Sequence, residues 1–123
     1  MAKKVLVVDD DTMNLKMAEF ILAQKNYEVC KVESGMECLL YLKDNKADLI
    51  LLDIEMPIMS GIRTLEVIKD NKELADIPVI FLTASAEADT VMEAAKLGAV
   101  GYVTKPFKPQ ELLARVEKTI WGD

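Results

Sequence analysis

The chain has 123 residues, 51% of them hydrophobic and 29% charged, with 15 basic against 21 acidic side chains and a net charge of −6. That profile fits one folded domain over residues 1–123 and excludes disorder, while the acidic balance speaks against a nucleic-acid footprint. The absence of any histidine removes Ser-His-Asp and Cys-His catalysis, histidine metal ligands and a phosphohistidine carrier role.

The first apolar run, Val5-Leu6-Val7-Val8, is continuous, as expected of a parallel strand covered on both faces, and it ends in Asp9-Asp10-Asp11. Leu15, Ala18, Ile21 and Leu22 then line one face of a helix from about Thr12 to Lys25. Asp11 or Thr12 caps it, where a negative charge suits the helix N-terminus. Tyr27 to Val32 alternates apolar and polar residues, which predicts a half-exposed strand at a sheet edge. Ser34-Gly35-Met36-Glu37 reads as a capping box opening the second helix.

Leu49-Ile50-Leu51-Leu52 is a second continuous run, ending in Asp53, and Ile62, Leu65 and Ile68 mark the helix that follows. Val79-Ile80-Phe81-Leu82 ends in Thr83; Val91 and Ala95 mark a fourth helix, which Gly98 can close as a C′ glycine. Val100-Gly101-Tyr102-Val103 is the last strand candidate and leads into Thr104-Lys105-Pro106. Pro109 suits the first turn of the final helix, with Leu112, Leu113, Val116 and Ile120 as its core stripe. Cys30 and Cys38 match no zinc or redox spacing and read as reduced thiols, and the scattered methionines read as core and loop filling. No apolar run approaches the ~20 residues of a membrane helix, and MAKKVLVVDD lacks a signal-peptide pattern, so the expected location is cytoplasmic with no membrane contact.

Strict alternation of strands and helices gives a (βα)5 chain, hence an α/β fold with a doubly wound parallel sheet. Such sheets bind ligands at the carboxyl ends of their strands, near the switch in strand order. Asp9, Asp10, Asp53, Thr83 and Lys105 all fall at strand ends, so carboxylates, a hydroxyl and an ammonium converge on one crevice. Two like charges ~4 Å apart at an effective dielectric of ~20 repel by about 4 kcal/mol. Either one carboxylate takes a proton or a divalent cation sits among them. All-oxygen ligands select a hard ion, and Mg²⁺ fits best because it accepts few carboxylates and keeps room for phosphate oxygens. With Thr83 as donor and Lys105 as point charge the crevice suits phosphoryl transfer, and Asp53, central in the sheet, is the candidate nucleophile. Each residue has an ordinary alternative: Asp9 and Asp10 as loop acids, Thr83 as a β-branched strand residue, Lys105 as a solvated charge, Tyr102 as an edge aromatic. Four strand ends matching together outweigh those alternatives.

VLVVDDD, LILLDIEMPIMSG, PVIFLTA and GYVTKPF, in that order and spacing, resemble the receiver domain of two-component response regulators over essentially the whole chain, chemotaxis regulators included. The resemblance implies the flavodoxin-like strand order 2-1-3-4-5. It implies that Asp53 accepts a phosphoryl group from a sensor histidine kinase or histidine phosphotransfer protein. Asp10, Asp53 and the backbone carbonyl of Glu55 would ligate Mg²⁺, with Asp9 holding a metal-bound water. Thr83 and Lys105 would bind the phosphoryl oxygens, across a cis Lys105-Pro106 bond. Tyr102 would be the switch aromatic, reshaping the face of the fourth helix, fifth strand and fifth helix toward an effector or output domain. Glu55 and Ser85 would tune phosphoryl lifetime. The protein would then be a phosphoacceptor switch rather than an enzyme, with self-phosphorylation from small donors and autodephosphorylation. Glu111 and Leu112 to Arg115 fit the DNA-binding subfamily that dimerises through this face, but Val100-Gly101 lacks its usual acidic residue.

Two other classes compete. Haloacid-dehalogenase-type phosphatases also use a strand-end aspartate, and Asp53-Ile54-Glu55 mimics their acidic pair; their motif order is the reverse and they carry cap elements. A flavodoxin-type cofactor binder shares the fold but needs a Ser/Thr/Gly-rich phosphate cradle that no loop offers here. The chain stops at Ile120-Trp121-Gly122-Asp123, after the last helical pattern, which fits a stand-alone receiver and a domain of a longer regulator equally.

Overall fold

A computed structural model describes residues 2–84 and 88–122 of the chain. The elements run β1 (Lys4–Val8), α1 (Thr12–Ala23), β2 (Glu28–Val32), α2 (Gly35–Asp44), β3 (Leu49–Asp53), α3 (Gly61–Asp70), β4 (Val79–Thr83), α4 (Ala88–Lys96), β5 (Gly101–Thr104) and α5 (Pro109–Trp121). The five strands form one parallel sheet in the order β2-β1-β3-β4-β5, the flavodoxin-like arrangement.

Period-2 alternation within the continuous apolar runs explains why both faces are covered. Val5, Val7, Leu49, Leu51, Ile80 and Leu82 point into a core with α1 and α5. Leu6, Val8, Ile50, Leu52, Val79 and Phe81 point the other way, into a core with α2, α3 and α4. Each such side chain contributes about 2 kcal/mol by leaving water. At the sheet edge β2 is half-exposed as its sequence predicts, with Glu28 and Lys31 in solvent and Val29, Cys30 and Val32 half-buried.

Helix ends follow their local chemistry. Asp11 caps α1, its side chain accepting from the Met13 N–H at 2.9 Å. Asn26, at φ +65, then turns the chain out of α1, with the Tyr27 N–H reaching back to the Leu22 carbonyl. Ser34 caps α2 through the Glu37 N–H, and Glu37 reaches back to the Glu33 N–H, one residue before the position a standard capping box uses. Gly98, at φ +101, closes α4 with paired bonds from the Gly98 and Ala99 N–H groups to the Ala95 and Ala94 carbonyls, a Schellman motif.

Two sequence expectations shift by one residue. The buried position of α4 is Ala94, while Ala95 is exposed; adjacent alanines carry no amphipathic contrast, so the pattern could not separate them. The fifth strand is Gly101–Thr104 rather than Val100 to Val103, and Val100 is exposed, donating its N–H to the Val79 carbonyl before the strand begins. Among the described residues no helix is long and apolar enough to cross a membrane.

Candidate functional site

Strand register builds the site. Val8 pairs with Leu52, so Asp9 and Asp53 lie side by side where β1 and β3 end. Asp53 pairs with Leu82, and Thr83 with Thr104, which brings the next two strand ends to the same edge. Asp9 is 0% exposed, Asp53 1% and Thr83 2%, whereas Asp10 stands in solvent. Lys105 follows β5, its N–H bonded to the Thr83 carbonyl at 2.8 Å, and the Lys105–Pro106 peptide is cis.

Charge organises the cluster. The Lys105 ammonium lies 3.1 Å from Asp53 Oδ1 and 3.3 Å from Asp9 Oδ2. The Asp11 N–H donates to Asp9 Oδ1 at 2.9 Å, and the Glu55 N–H to Asp53 Oδ1 at 3.2 Å. Asp53 Oδ2 is buried and has no hydrogen-bond partner among the described residues. Burial is the main force pushing the Asp53 carboxyl up, to about 7, and repulsion from Asp9 adds to it against the pull of Lys105 and the Glu55 N–H. Burial alone would lower Lys105, but Asp53 and Asp9 outweigh it and hold the ammonium above its ordinary value. Two buried carboxylates thus share one cation, and the second carboxylate lacks a full counter-charge.

A divalent cation fits that deficit. Asp9, Asp10 and Asp53 each bring a carboxylate oxygen within 4.8 Å of the other two, and no thiolate or imidazole competes. The unpartnered Asp53 Oδ2 supplies open lone pairs at the same place. An all-oxygen set of this size suits a hard ion such as Mg²⁺.

Tyr102 is half-buried on β5 against the α2–α3–α4 core, with the Arg115 guanidinium 5.9 Å from its ring centre. Glu55 is exposed. Ser85 lies outside the described residues.

Gly61 is a site residue that sequence reasoning passed over. A Cβ there would come within 2.1 Å of the Asp53 carbonyl oxygen and 2.8 Å of Ile54 Cα, so only glycine lets α3 start against the end of β3. Its N–H donates to the Ile54 carbonyl at 2.8 Å. Ser60, the cap of α3, accepts from the Arg63 N–H, and Ser-Gly before an apolar helical period was the available signal.

A doubly wound α/β sheet collects its ligand site at the carboxyl ends of its strands, which is where this acid–lysine cluster lies. The family model for the response regulator receiver domain matches residues 5–117, and the chain belongs to that family. It is 37% identical over 118 residues to the phosphate regulon transcriptional regulatory protein PhoB of Pseudomonas aeruginosa, covering 96% of this chain and 52% of that protein. It is 34% identical to the DNA-binding response regulator MtrA of Mycolicibacterium paratuberculosis, covering 94% of this chain and 50% of that one. The chain therefore spans about half the length of the curated relatives it matches. Among solved structures, the chemotaxis protein CheY4 of Vibrio cholerae superposes with a TM-score of 0.92 at 28% identity, covering 97% of this chain and 99% of that one. A response regulator structure from Chloroflexus aurantiacus gives 0.93 at 30% identity, covering 98% and 99%. Members of this family are signalling switches of two-component systems rather than enzymes in the ordinary sense.

Proposed function

We propose that the chain is a phosphorylation-dependent switch in which Asp53 is the phosphoacceptor. The observation that carries this reading is the buried Asp53 carboxylate, with Oδ1 fixed by Lys105 and the Glu55 N–H and Oδ2 uncommitted. Fixing one oxygen orients the other for attack. In the transfer, the phosphorus–nitrogen bond of a donor phosphohistidine breaks and a phosphorus–oxygen bond to Asp53 forms. The electron pair stays on the imidazole nitrogen, which takes a proton from solvent. Acetyl phosphate delivers the same group by breaking its phosphorus–oxygen bond.

Asp10, Asp53 and the Glu55 backbone carbonyl would hold Mg²⁺, with Asp9 supporting one of its waters; when bound, the ion neutralises carboxylate charge and draws phosphoryl oxygens. Lys105 stands where it can release Asp9 and Asp53 and pair with the incoming phosphoryl group. Thr83, buried at the neighbouring strand end, supplies a hydroxyl to the same group. That rearrangement biases Tyr102, one strand beyond Thr83, and so the α4–β5–α5 face that an effector or output domain reads. The donor is a sensor histidine kinase or phosphotransfer protein. A net charge of −6 supports the reading that nucleic acid, where engaged, is not engaged by these residues. Glu55 and Ser85 set how long the acyl phosphate lasts by controlling the water that reaches it. Incubation with Mg²⁺ and acetyl phosphate tests the reading: intact mass gains one phosphoryl group, and Asp53→Asn abolishes the gain.

A further inference from the structure

The end of the sheet opposite the acid cluster holds a cavity of about 410 Å³ that the switch does not use. Parallel strands start on one edge, so the chain entering β1 and β2 meets the C-terminal end of α5 there. Lys3 comes from the first connection, Lys25, Asn26 and Tyr27 from the second, and Glu117 and Trp121 from α5. Small-molecule pockets begin at ~300 Å³, so the space suits one compact ligand.

What these side chains leave unspent defines that ligand. Trp121 donates its indole N–H to the Tyr27 hydroxyl at 3.3 Å, yet the residue is 63% exposed. A tryptophan that only pinned the end of α5 would bury its ring; here the N–H is fixed and most of the ring stays open. Tyr27 is buried, accepts that N–H, and has no acceptor for its own hydroxyl proton among the described residues. Lys3 Nζ lies 5.4 Å from the centre of the indole ring. Neither Lys3 nor Lys25 has a carboxylate partner among the described residues, although acids outnumber bases 21 to 15 in the chain.

Geometry selects among anions. Paired aromatic rings prefer centre-to-centre spacings of ~4.5–7 Å, so a ring on the indole lies about as far from it as the Lys3 ammonium does. An anionic group joined directly to that ring then meets Lys3. A nucleotide holds its phosphate beyond a sugar and would overshoot, and inorganic phosphate would leave the indole unused. The Glu117 carboxylate in the lining repels a second negative charge, which favours a monoanion.

We propose that this cavity binds a small aromatic monocarboxylate, its ring stacked on Trp121 and its carboxylate held by Lys3, Lys25 and the Tyr27 hydroxyl. The site stands apart from the Asp53 reading, because the two lie at opposite ends of the strands.

Benzoate is the probe, and Trp121, the one tryptophan of the chain, is the reporter. In isotope-labelled protein without Mg²⁺, benzoate shifts the indole N–H resonance and the Asn26 amide saturably, with half-saturation on the order of 1 mM. Benzamide keeps the ring and loses the charge; cyclohexanecarboxylate keeps the charge and loses the aromatic face. Each binds about tenfold more weakly than benzoate. Lys3→Met combined with Lys25→Met, neither of them a core position, weakens benzoate about tenfold as well, whereas Asp53→Asn leaves it unchanged. A shift that grows linearly without saturating overturns the proposal. Equal binding of benzoate and benzamide does so too, since it would reduce the cavity to an apolar contact. Full benzoate affinity in the double lysine variant has the same force. Loss of binding in Asp53→Asn would move the ligand to the acid cluster and overturn the assignment.

Discussion

The Lys105 ammonium bridges Asp53 Oδ1 at 3.1 Å and Asp9 Oδ2 at 3.3 Å, one cation held between two buried carboxylates from strands β1 and β3. Deleting it leaves both acids without a counter-charge. Lys105→Met therefore lowers stability by on the order of 2 kcal/mol in metal-free buffer, and by more at pH 8 than at pH 5, where a proton takes the cation's place. Urea titrations at the two pH values measure this, and an equal loss at both would contradict the shared-cation account.

The Asp53 carboxyl gives stability a definite pH slope. Its pKa in the fold is pushed up to about 7, above the usual ~4 of an unfolded aspartate. The folded chain thus binds more protons than the unfolded one between those values, and stability falls as pH rises through that window. Asp53→Asn carries no such charge, so at pH 8 without metal it is the more stable chain by on the order of 2 kcal/mol, and the difference closes toward pH 4. Adding Mg²⁺ at pH 8 raises the melting temperature of the unaltered chain more than that of Asp53→Asn. Parallel pH profiles for the two chains would refute this.

Glycine positions differ sharply in what they tolerate. Gly61→Ala forces a Cβ against the Asp53 carbonyl and Ile54 Cα, both backbone, and costs about 2 kcal/mol or more. Gly101→Ala meets only the flexible end of Arg115, at 3.8 Å, and stays within about 0.5 kcal/mol. Chemical denaturation of the pair checks the contrast, and similar losses would contradict the close-approach explanation.

The output face is expected to depend on Lys105 after phosphorylation as well as before it. Lys105→Ala still gains phosphoryl from acetyl phosphate, but the change in amide exchange over Tyr102 and α4 that follows labelling shrinks severalfold. An undiminished response in the variant would remove Lys105 from the route between Asp53 and Tyr102.

Much of this was legible in the sequence, for identifiable reasons. Val5–Val8 and Leu49–Leu52 announce strands because both faces are buried and every position must be apolar. Asp9, Asp53, Thr83 and Lys105 could be placed together because parallel strands deliver their carboxyl ends to one edge. The finer split among the acids is structural: Asp9 is fully buried and Asp10 exposed, although both follow the same strand. Gly61 was given no role because its constraint is a tertiary approach of α3 to β3, whereas Ser60-Gly61 in the local pattern marks only a helix start.

The most direct test of the central claim is to find which side chain carries the phosphoryl group. After labelling with Mg²⁺ and acetyl phosphate, borohydride reduction converts an aspartyl phosphate to homoserine, and peptide mass mapping locates it. Homoserine at position 53, and at neither 9 nor 10, is the expected result. Homoserine at Asp9 or Asp10 with position 53 intact would contradict the account.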